Sequence, residues 1–265
     1  METALQSDQL QNQIALWRNG IGQELGFWER WMQSRGLEWP EDFQQRLTPS
    51  APLLHEVARR LPRGVSEPVV LDVGSGPLSR IGRRVDDSTR PRVIACDPLM
   101  NHYLRLLREN GLSPLTECFE APAEDLSAYF SPNFADVVHC SNALDHSFDP
   151  IRGIEEMLYV AKPGAAVVLL HATNEAENEN YEGFHQWNFD ADSGRFIVWN
   201  KQHRIDANDH FARYASIEAS HGHDGRGISA ILTKREEGAY ELTRMCDERR
   251  KQRTIDMHRA IMSLL

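Results

Sequence analysis

From residue 69 onward, short apolar runs rich in β-branched residues alternate with segments of helical pattern. The predicted strands cover 69–73, 92–96, 115–118, 135–140 and 165–170. The predicted helices between them cover 77–85, 98–110 and 150–161. Apolar strands that alternate with helices indicate a doubly wound α/β fold, in which a mostly parallel sheet is covered by helices on both faces.

The segment before this alternation carries a helical stripe. Apolar side chains recur at steps of three and four at Leu10, Ile14, Trp17, Ile21, Leu25, Trp28 and Met32. Gly20, Gly22 and Gly26 weaken the helix and allow a bend or a break. Trp39-Pro40 is predicted to open a loop, and a further helix is predicted over 51–61. The stripe fits either a helix packed on the main domain or a cap over a substrate pocket.

After residue 171 the pattern changes. Aromatic and polar residues alternate over 184–200 about Asp192-Ser193-Gly194, which predicts an inserted β-hairpin after the fifth strand. A closing strand is predicted at 228–233 and a helix from residue 236. The predicted organisation is a helical N-terminal extension or cap at 1–64, a main domain at 65–235 with an insert at about 174–205, and a C-terminal helix at 236–265.

The first predicted strand ends in a glycine turn, Asp72-Val73-Gly74-Ser75-Gly76-Pro77. Glycine permits positive φ and close approach of a ligand to the backbone, and Pro77 is well suited to the first position of a helix. The second strand ends about twenty residues later at Asp97, where a carboxylate can accept both hydroxyls of a ribose or cap the helix that begins near Pro98. The two turns together predict an adenosine site.

Charge limits the ligand and the partners. The strand ends are rich in carboxylates and lack a cluster of lysines or arginines, which suits a positively charged ligand better than a pyrophosphate. The net charge of −10 argues against a nucleic-acid or anionic-membrane partner. The four cysteines have no metal-binding spacing and are expected as reduced thiols. No apolar run reaches membrane-spanning length and no signal peptide is recognisable, so a cytoplasmic protein is expected.

The run of strands and turns resembles the class I S-adenosylmethionine (SAM)-dependent methyltransferases, which have a seven-stranded Rossmann-like sheet whose last strand is antiparallel. The likeness covers about 65–175 and the strand near 228–234. It implies SAM as cofactor and S-adenosylhomocysteine as product. The cofactor-binding residues it implies are Asp72, Gly74, Ser75 and Gly76 at the methionine part, Asp97 and Pro98 at the ribose, Ala123 and Glu124 at the adenine, and Ser141 and Asn142 at the sulfonium. Pro77-Leu78 departs from the family pattern, where many members have a further glycine.

A narrower likeness links two motifs to a bacterial subgroup that we associate with glycan or small-metabolite modification. These motifs are Asn142-Ala143-Leu144-Asp145-His146 and His185-Gln186-Trp187-Asn188-Phe189. The likeness implies a small-molecule or sugar acceptor, with His185, Trp187 and Asn188 as substrate-binding residues.

Transfer of a methyl group to a hydroxyl usually needs a base, and histidine serves this purpose near neutral pH. The candidates are His146, which Asp145 could orient, His171 at the end of the fifth strand, and His185 in the aromatic insert, which is favoured to shape the pocket over reacting. O-methylation is the favoured reaction, with N- or S-methylation as alternatives. An NAD-dependent oxidoreductase and a non-catalytic cofactor-binding protein also remain open.

The role of the hairpin aromatics and the binding of a metal ion are two further questions. The hairpin aromatics form either a lid or a homodimer contact; they are Phe184, Trp187, Phe189, Phe196 and Trp199. No metal site is predicted, because His221-Gly222-His223-Asp224 lies on one glycine loop and Asp145 with Asn142 lacks an evident third carboxylate.

Overall fold

A computed structural model of the chain describes residues 7–262, without the side chains of residues 7–14, 16, 17, 19, 260 and 261. Leu10, Ile14 and Trp17 of the predicted stripe therefore lie outside the described side chains. The strands are β1 Val69–Val73, β2 Arg92–Asp97, β3 Glu117–Glu120, β4 Ala135–Ser141, β5 Ala161–Ala172, β6 Asn188–Asp192, β7 Arg195–Trp199, β8 Arg204–Asp206, β9 Ala215–His221 and β10 Gly227–Lys234. The helices are α1 Ser7–Gln33, α2 Pro40–Arg46, α3 His55–Ala58, α4 Met100–Glu109, α5 Pro150–Val160, α6 Glu175–Asn178, α7 Ala207–His210 and α8 Ala239–Met262, with 3₁₀ helices at Ala123–Ala128 and Leu144–His146.

The main sheet has seven strands in the order β3-β2-β1-β4-β5-β10-β9. β1 to β5 pair in parallel, whereas β10 is antiparallel to both β5 and β9. This arrangement confirms the predicted doubly wound sheet with an antiparallel closing strand. β9 was not predicted, because it is an edge strand whose sequence alternates with polar and charged side chains instead of forming an apolar run.

The two faces of the sheet bury different sets of side chains, since successive residues of a strand point to opposite sides. Leu71 and Leu169 belong to a large core that includes residues of α5, α8 and the insert. Val70 and Val168 belong to a smaller core with Val57 of α3. All four cysteines are free thiols. Cys96 and Cys140 are buried as expected, whereas Cys118 is only partly buried and Cys246 is buried as well.

The predicted helix at 77–85 does not form. Residues 74–91 are irregular, and the backbone around Ile81–Arg84 bonds instead to the segment before α3. Leu54 N donates to Ile81 O at 2.6 Å and Leu53 N donates to Arg84 O at 2.7 Å. Gly82 has φ +75°, and a Cβ there would lie 1.9 Å from the carbonyl oxygen of Pro52. The close crossing of these two segments takes the backbone groups that a helix would need for itself.

The N-terminal helices also differ in detail from the expectation. α1 runs unbroken through Gly20, Gly22 and Gly26, and the absent side chain at Gly20 lets Phe184 pack against the helix. Pro40 begins α2 instead of a loop, which agrees with the preference of proline for the first helical position. The helix predicted over 51–61 is confined to α3. Within residues 7–262, no helix is both long and apolar enough to cross a lipid bilayer.

The insert forms a three-stranded sheet, β6-β7-β8, that begins with the predicted hairpin. Ser193 and Gly194 have φ of 52° and 81° between the paired residues Asp192 and Arg195, as a two-residue hairpin turn requires. Most hairpin aromatics point inward: Trp187, Phe189 and Phe196 belong to the large core. These three side chains therefore stabilise the core, and the lid and the dimer contact stay predictions for the hairpin.

Candidate active site

The site begins at the loop after β1, where glycine allows three segments to meet. Gly74 and Gly76 have φ of +66° and +62°. A Cβ on Gly74 would lie 2.3 Å from the Cβ of Ala143, and one on Gly76 would lie 2.9 Å from Cζ2 of Trp28. The loops after β1 and β4 therefore pack directly on each other, and α1 covers the turn.

Two adjoining cavities of about 310 and 190 Å³ lie at these strand ends. They share the lining residues Glu24, Gly74, Asp97, Ala143 and His146. The larger cavity is also lined by Pro98, Ala123 and Glu124, and the smaller by Asp72, Ser75, Gly76, Ser141 and Asn142. Every residue predicted to bind the cofactor thus lines one of these two cavities, and we call them the cofactor cavities for that reason.

Asp97 joins the two cavities and is held by backbone donors. Its carboxylate accepts hydrogen bonds from Gly76 N at 3.1 Å and from Leu99 N at 2.9 Å, so the expected capping interaction is present. Burial raises the pKa of Asp97 to about 7, an effect that these two N–H groups partly oppose. The carboxylate is therefore poised to ionise near neutral pH when a ligand donates hydrogen bonds to it.

Asp72 is also buried, and side chains occupy both of its oxygens. His139 Nδ1 lies 2.7 Å from Oδ1, and Ser79 Oγ donates to Oδ2 at 2.6 Å. Asp72 and His139 are opposite each other in the parallel pairing of β1 and β4. The carboxylate can thus contribute its negative charge to the smaller cavity while its own position is fixed by protein donors.

Glu124 also lines the larger cavity. Its Oε1 accepts a hydrogen bond from Phe148 N at 3.0 Å, and burial raises its pKa to about 7. The adjacent Asp125 instead pairs with Arg152 at 2.6 Å and with Arg253. Of these two neighbouring acids, Glu124 is therefore the one that shapes the cavity.

The N-terminal region supplies residues that the sequence interpretation missed. Glu24 of α1 lines both cavities, and its Oε1 accepts a hydrogen bond from Trp28 Nε1 at 2.7 Å. Arg46 and Arg80 also line the smaller cavity. Arg46 is fixed by Asp42 and the carbonyl of Leu78, whereas the side chain of Arg80 is half exposed. No local motif signals these roles, because the residues reach the site only through tertiary packing.

A third cavity, of about 390 Å³, lies between α1 and the segment 175–185. Carboxylates line it at Glu24, Asp145, Glu175, Glu179 and Glu182. Asn142 and His146 line this cavity and also belong to the cofactor cavities. In the described part of the chain, its lining residues include no lysine or arginine. We call it the acceptor cavity because it opens beside the region where the cofactor's sulfonium is expected.

Asp145, His146 and His185 meet at one edge of the acceptor cavity. Oδ2 of Asp145 lies 2.8 Å from His185 Nδ1 and 3.3 Å from His146 Nε2, and the two ring nitrogens are 3.2 Å apart. Burial alone would raise the pKa of Asp145, but the two histidines hold it below its ordinary value. Burial alone would lower the pKa of His185, but the hydrogen bond to Asp145 raises it. The predicted pairing of Asp145 with His146 is therefore present in the fold, together with His185.

Three other candidates lie away from this edge. His171 is buried, stacks on Phe189 with ring centroids 4.5 Å apart, and lines a separate groove; burial lowers its pKa to about 4. Trp187 is buried in the large core. Asn188 is fully buried and bonds to Glu177 N and to the hydroxyl of Tyr181. These three side chains pack within or against the insert, and none of them lines the acceptor cavity.

Comparisons with known proteins agree with this architecture. Residues 71–169 match the family model described as methyltransferase domain. A chain from the Haloferax volcanii complex of a methyltransferase with the Trm112 methyltransferase activator is 13% identical, with a TM-score of 0.50, covering 81% of this chain and 97% of that one. A Thermotoga maritima SAM-dependent methyltransferase, described as a possible histamine N-methyltransferase, is 13% identical over 80% of this chain and 100% of that one, with a TM-score of 0.46. No curated protein matches the sequence.

The sheet order and the cavities at its carboxyl edge are those of a Rossmann-like cofactor-binding enzyme. The match of residues 71–169 to a methyltransferase domain supports a class I SAM-dependent methyltransferase, an enzyme with SAM as its cofactor. This finding decides in favour of the methyltransferase over the NAD-dependent alternative. The narrower likeness to a bacterial subgroup stays a prediction.

Proposed function

We propose that the enzyme transfers the methyl group of SAM to a hydroxyl of a small, sugar-type acceptor bound in the acceptor cavity. The observation that carries this proposal is the position of His146, which lines the acceptor cavity and both cofactor cavities. A histidine at this junction can reach an acceptor group placed next to the transferred methyl.

The cofactor would lie across the two adjoining cavities. The ribose hydroxyls would donate to Asp97, and the adenine would lie by Ala123 and Glu124. The methionine part would follow the glycine turn into the smaller cavity, and Arg80 is the cationic side chain proposed to meet its carboxylate. The two cavities thus divide the cofactor between an adenosine end and an amino-acid end.

His146 is the proposed general base. When its Nε2–H faces Asp145, Nδ1 is left to take a proton, and the carboxylate stabilises the imidazolium that results. A lone pair of the acceptor oxygen forms the new bond to the methyl carbon. The pair of the broken S–C bond remains on sulfur, which leaves S-adenosylhomocysteine, and the hydroxyl proton passes to His146.

The lining of the acceptor cavity supports a hydroxyl-rich ligand. Carboxylates at Glu24, Glu175, Glu179 and Glu182 can accept hydrogen bonds from several hydroxyl groups. The same side chains oppose the entry of a phosphorylated or otherwise polyanionic acceptor. A neutral polyhydroxylated molecule fits both conditions.

A second candidate function is N-methylation of a small amine. It is supported by the concentration of negative charge in the same cavity, which favours a cationic acceptor before it loses its proton. His146 would then remove the proton of the ammonium group. Paired acceptors that differ only in a hydroxyl or an amino group separate the two candidates.

The test is formation of S-adenosylhomocysteine with panels of neutral sugars and their amino-sugar counterparts. His146→Ala should lower turnover about 100-fold or more, as expected for removal of a general base, while SAM affinity is retained. His102→Ala, an exposed histidine on α4, is the matched control and should leave turnover unchanged. Full activity of His146→Ala would exclude the proposed base, and turnover of amines alone would favour the second candidate.

A further inference from the structure

The atoms at the edge of the acceptor cavity are arranged as ligands around a single point. Asp145 Oδ2, His146 Nε2 and His185 Nδ1 lie 2.8, 3.2 and 3.3 Å from one another. Nitrogen and oxygen ligands at ~2.1 Å from a divalent ion are roughly 3.0–3.4 Å apart in tetrahedral or octahedral geometry. The observed separations are close to that range.

Hydrogen bonds among the three atoms cannot satisfy all of them at once. If both ring nitrogens carry a proton toward Asp145, two N–H groups face each other at 3.2 Å. If only His185 carries one, a single proton must serve both Asp145 Oδ2 and His146 Nε2. A cation, in contrast, uses one lone pair from each of the three atoms.

The remaining oxygen of Asp145 is a second, independent observation. Asp145 is 2% exposed, and its Oδ1 is buried with no hydrogen-bond partner among the described residues. A buried carboxylate oxygen without a donor is costly unless a positive charge lies nearby. A cation beside Asp145 would supply that charge.

The surrounding backbone holds the three side chains together. Asp145 and His146 lie on the 3₁₀ helix after β4, and Gln186 N donates to the carbonyl of Asp145 at 3.0 Å next to His185. The sequence separates His185 from the other two by about forty residues, but this bond fixes the insert to the loop. All three side chains line the acceptor cavity, so an ion bound to them would be next to that cavity.

We propose that Asp145, His146 and His185 bind a divalent transition-metal ion whose open positions face the acceptor cavity. Two imidazoles and a carboxylate suit Zn²⁺ or Mn²⁺, whereas Mg²⁺ prefers an all-oxygen site. The ion would bind a hydroxyl of the acceptor and orient it toward the methyl group. This role rests on the proposed function. In the loaded enzyme the ion would replace His146 as the group that activates the hydroxyl, because an imidazole that binds the ion through Nε2 carries its ring proton on Nδ1 and cannot accept another there.

The test is calorimetric titration of the EDTA-treated, full-length protein with Zn²⁺, Mn²⁺ and Mg²⁺, without SAM or acceptor. We expect one equivalent of Zn²⁺ or Mn²⁺ to bind and Mg²⁺ to bind at least 100-fold more weakly. Asp145→Asn and His185→Gln should each weaken binding at least 30-fold while the circular dichroism spectrum is retained. His221→Ala is the matched control, because His221 Nε2 pairs with a single carboxylate, Asp190 Oδ1, at 3.1 Å. This variant should bind the metal ions as tightly as the unmodified protein.

Three results would overturn the metal site. The first is that neither Zn²⁺ nor Mn²⁺ binds. The second is that both Asp145→Asn and His185→Gln bind the ion as tightly as the unmodified protein. The third is that His221→Ala weakens ion binding as much as those two variants do. The outcome is separate from that of the proposed function. Ion binding that depends on Asp145 supports the site even if no hydroxylated acceptor is methylated. Full O-methylation in EDTA that is lost in His146→Ala would support the base and overturn the role of the ion in activating the hydroxyl.

Discussion

His139 Nδ1 lies 2.7 Å from Oδ1 of Asp72, and both side chains are almost fully buried between β1 and β4. The register of the sheet makes these residues direct neighbours. The charge that Asp72 presents at the cofactor cavity is therefore supported by a partner from the adjacent strand, 67 positions along the chain.

Replacing this partner should destabilise the protein. His139→Ala leaves Oδ1 of Asp72 buried without its donor, which should lower the free energy of unfolding by about 1–3 kcal/mol. His139→Asn retains an N–H donor and should recover part of that loss. Urea denaturation of the three proteins measures the difference, and equal stability of all three would show that the contact contributes nothing.

SAM affinity should depend on pH through Asp97. Burial raises the pKa of Asp97 to about 7. In the proposed binding mode, the ribose hydroxyls would donate hydrogen bonds to its ionised form. SAM should therefore bind about tenfold more tightly at pH 8 than at pH 6, with release of a proton near pH 7. Calorimetry in buffers of different ionisation enthalpy measures that proton. Glu124, also with a pKa of about 7, lines the same cavity, so Asp97→Asn isolates the contribution of Asp97.

The raised pKa of Asp97 also determines whether the stability of the cofactor-free protein rises or falls with pH. The folded-state pKa of Asp97 lies above its ordinary value of 3.8, so the cofactor-free protein retains a proton that the unfolded chain has lost. Between about pH 4 and pH 7, stability should fall as pH rises, and this slope should be smaller in Asp97→Asn. An identical slope in the variant would assign the effect to other groups.

Arg80 should be required for binding of the amino-acid part of SAM. Removing a charge-assisted hydrogen bond costs about 1.5–3 kcal/mol, so Arg80→Gln should raise the Kd for SAM at least tenfold. Adenosine, which lacks the carboxylate, should bind both proteins equally. Arg84→Gln is the matched control, because the Arg84 side chain pairs with the exposed Asp87 and is not among the described residues that line either cavity. Equal losses for SAM and adenosine would contradict the assignment.

Gly82 should be far less replaceable than Gly64. Both have positive φ, of 75° and 77°, and an L-residue in that region costs about 1–2 kcal/mol. A Cβ at Gly64 meets nothing within 4 Å, but one at Gly82 would meet the Pro52 carbonyl. Gly82→Ala should therefore cost a further ~1–3 kcal/mol. Thermal unfolding of the two variants measures the difference, and equal losses would mean that the crossing of the two segments adapts freely.

Local signals in the sequence determined the strands at the centre of this protein. Apolar β-branched runs mark β1, β2, β4 and β5 because a parallel strand buried on both faces is apolar throughout. The residues that follow these strands, from Asp72 to Asn142, reach the cofactor cavities because parallel strands end at one edge of the sheet. The fold and its cofactor edge could be inferred without coordinates for these two reasons.

Tertiary packing decided the rest. The loop at 77–85 has a pattern that permits a helix, but its backbone groups bond to the segment before α3, 27 to 33 positions upstream. Glu24 and Arg80 reach the cavities through the packing of α1 and that loop, and neither carries a motif. His185 meets Asp145 and His146 because the insert folds back on the loop after β4. Contacts between distant segments depend on the whole chain, so no local pattern encodes them.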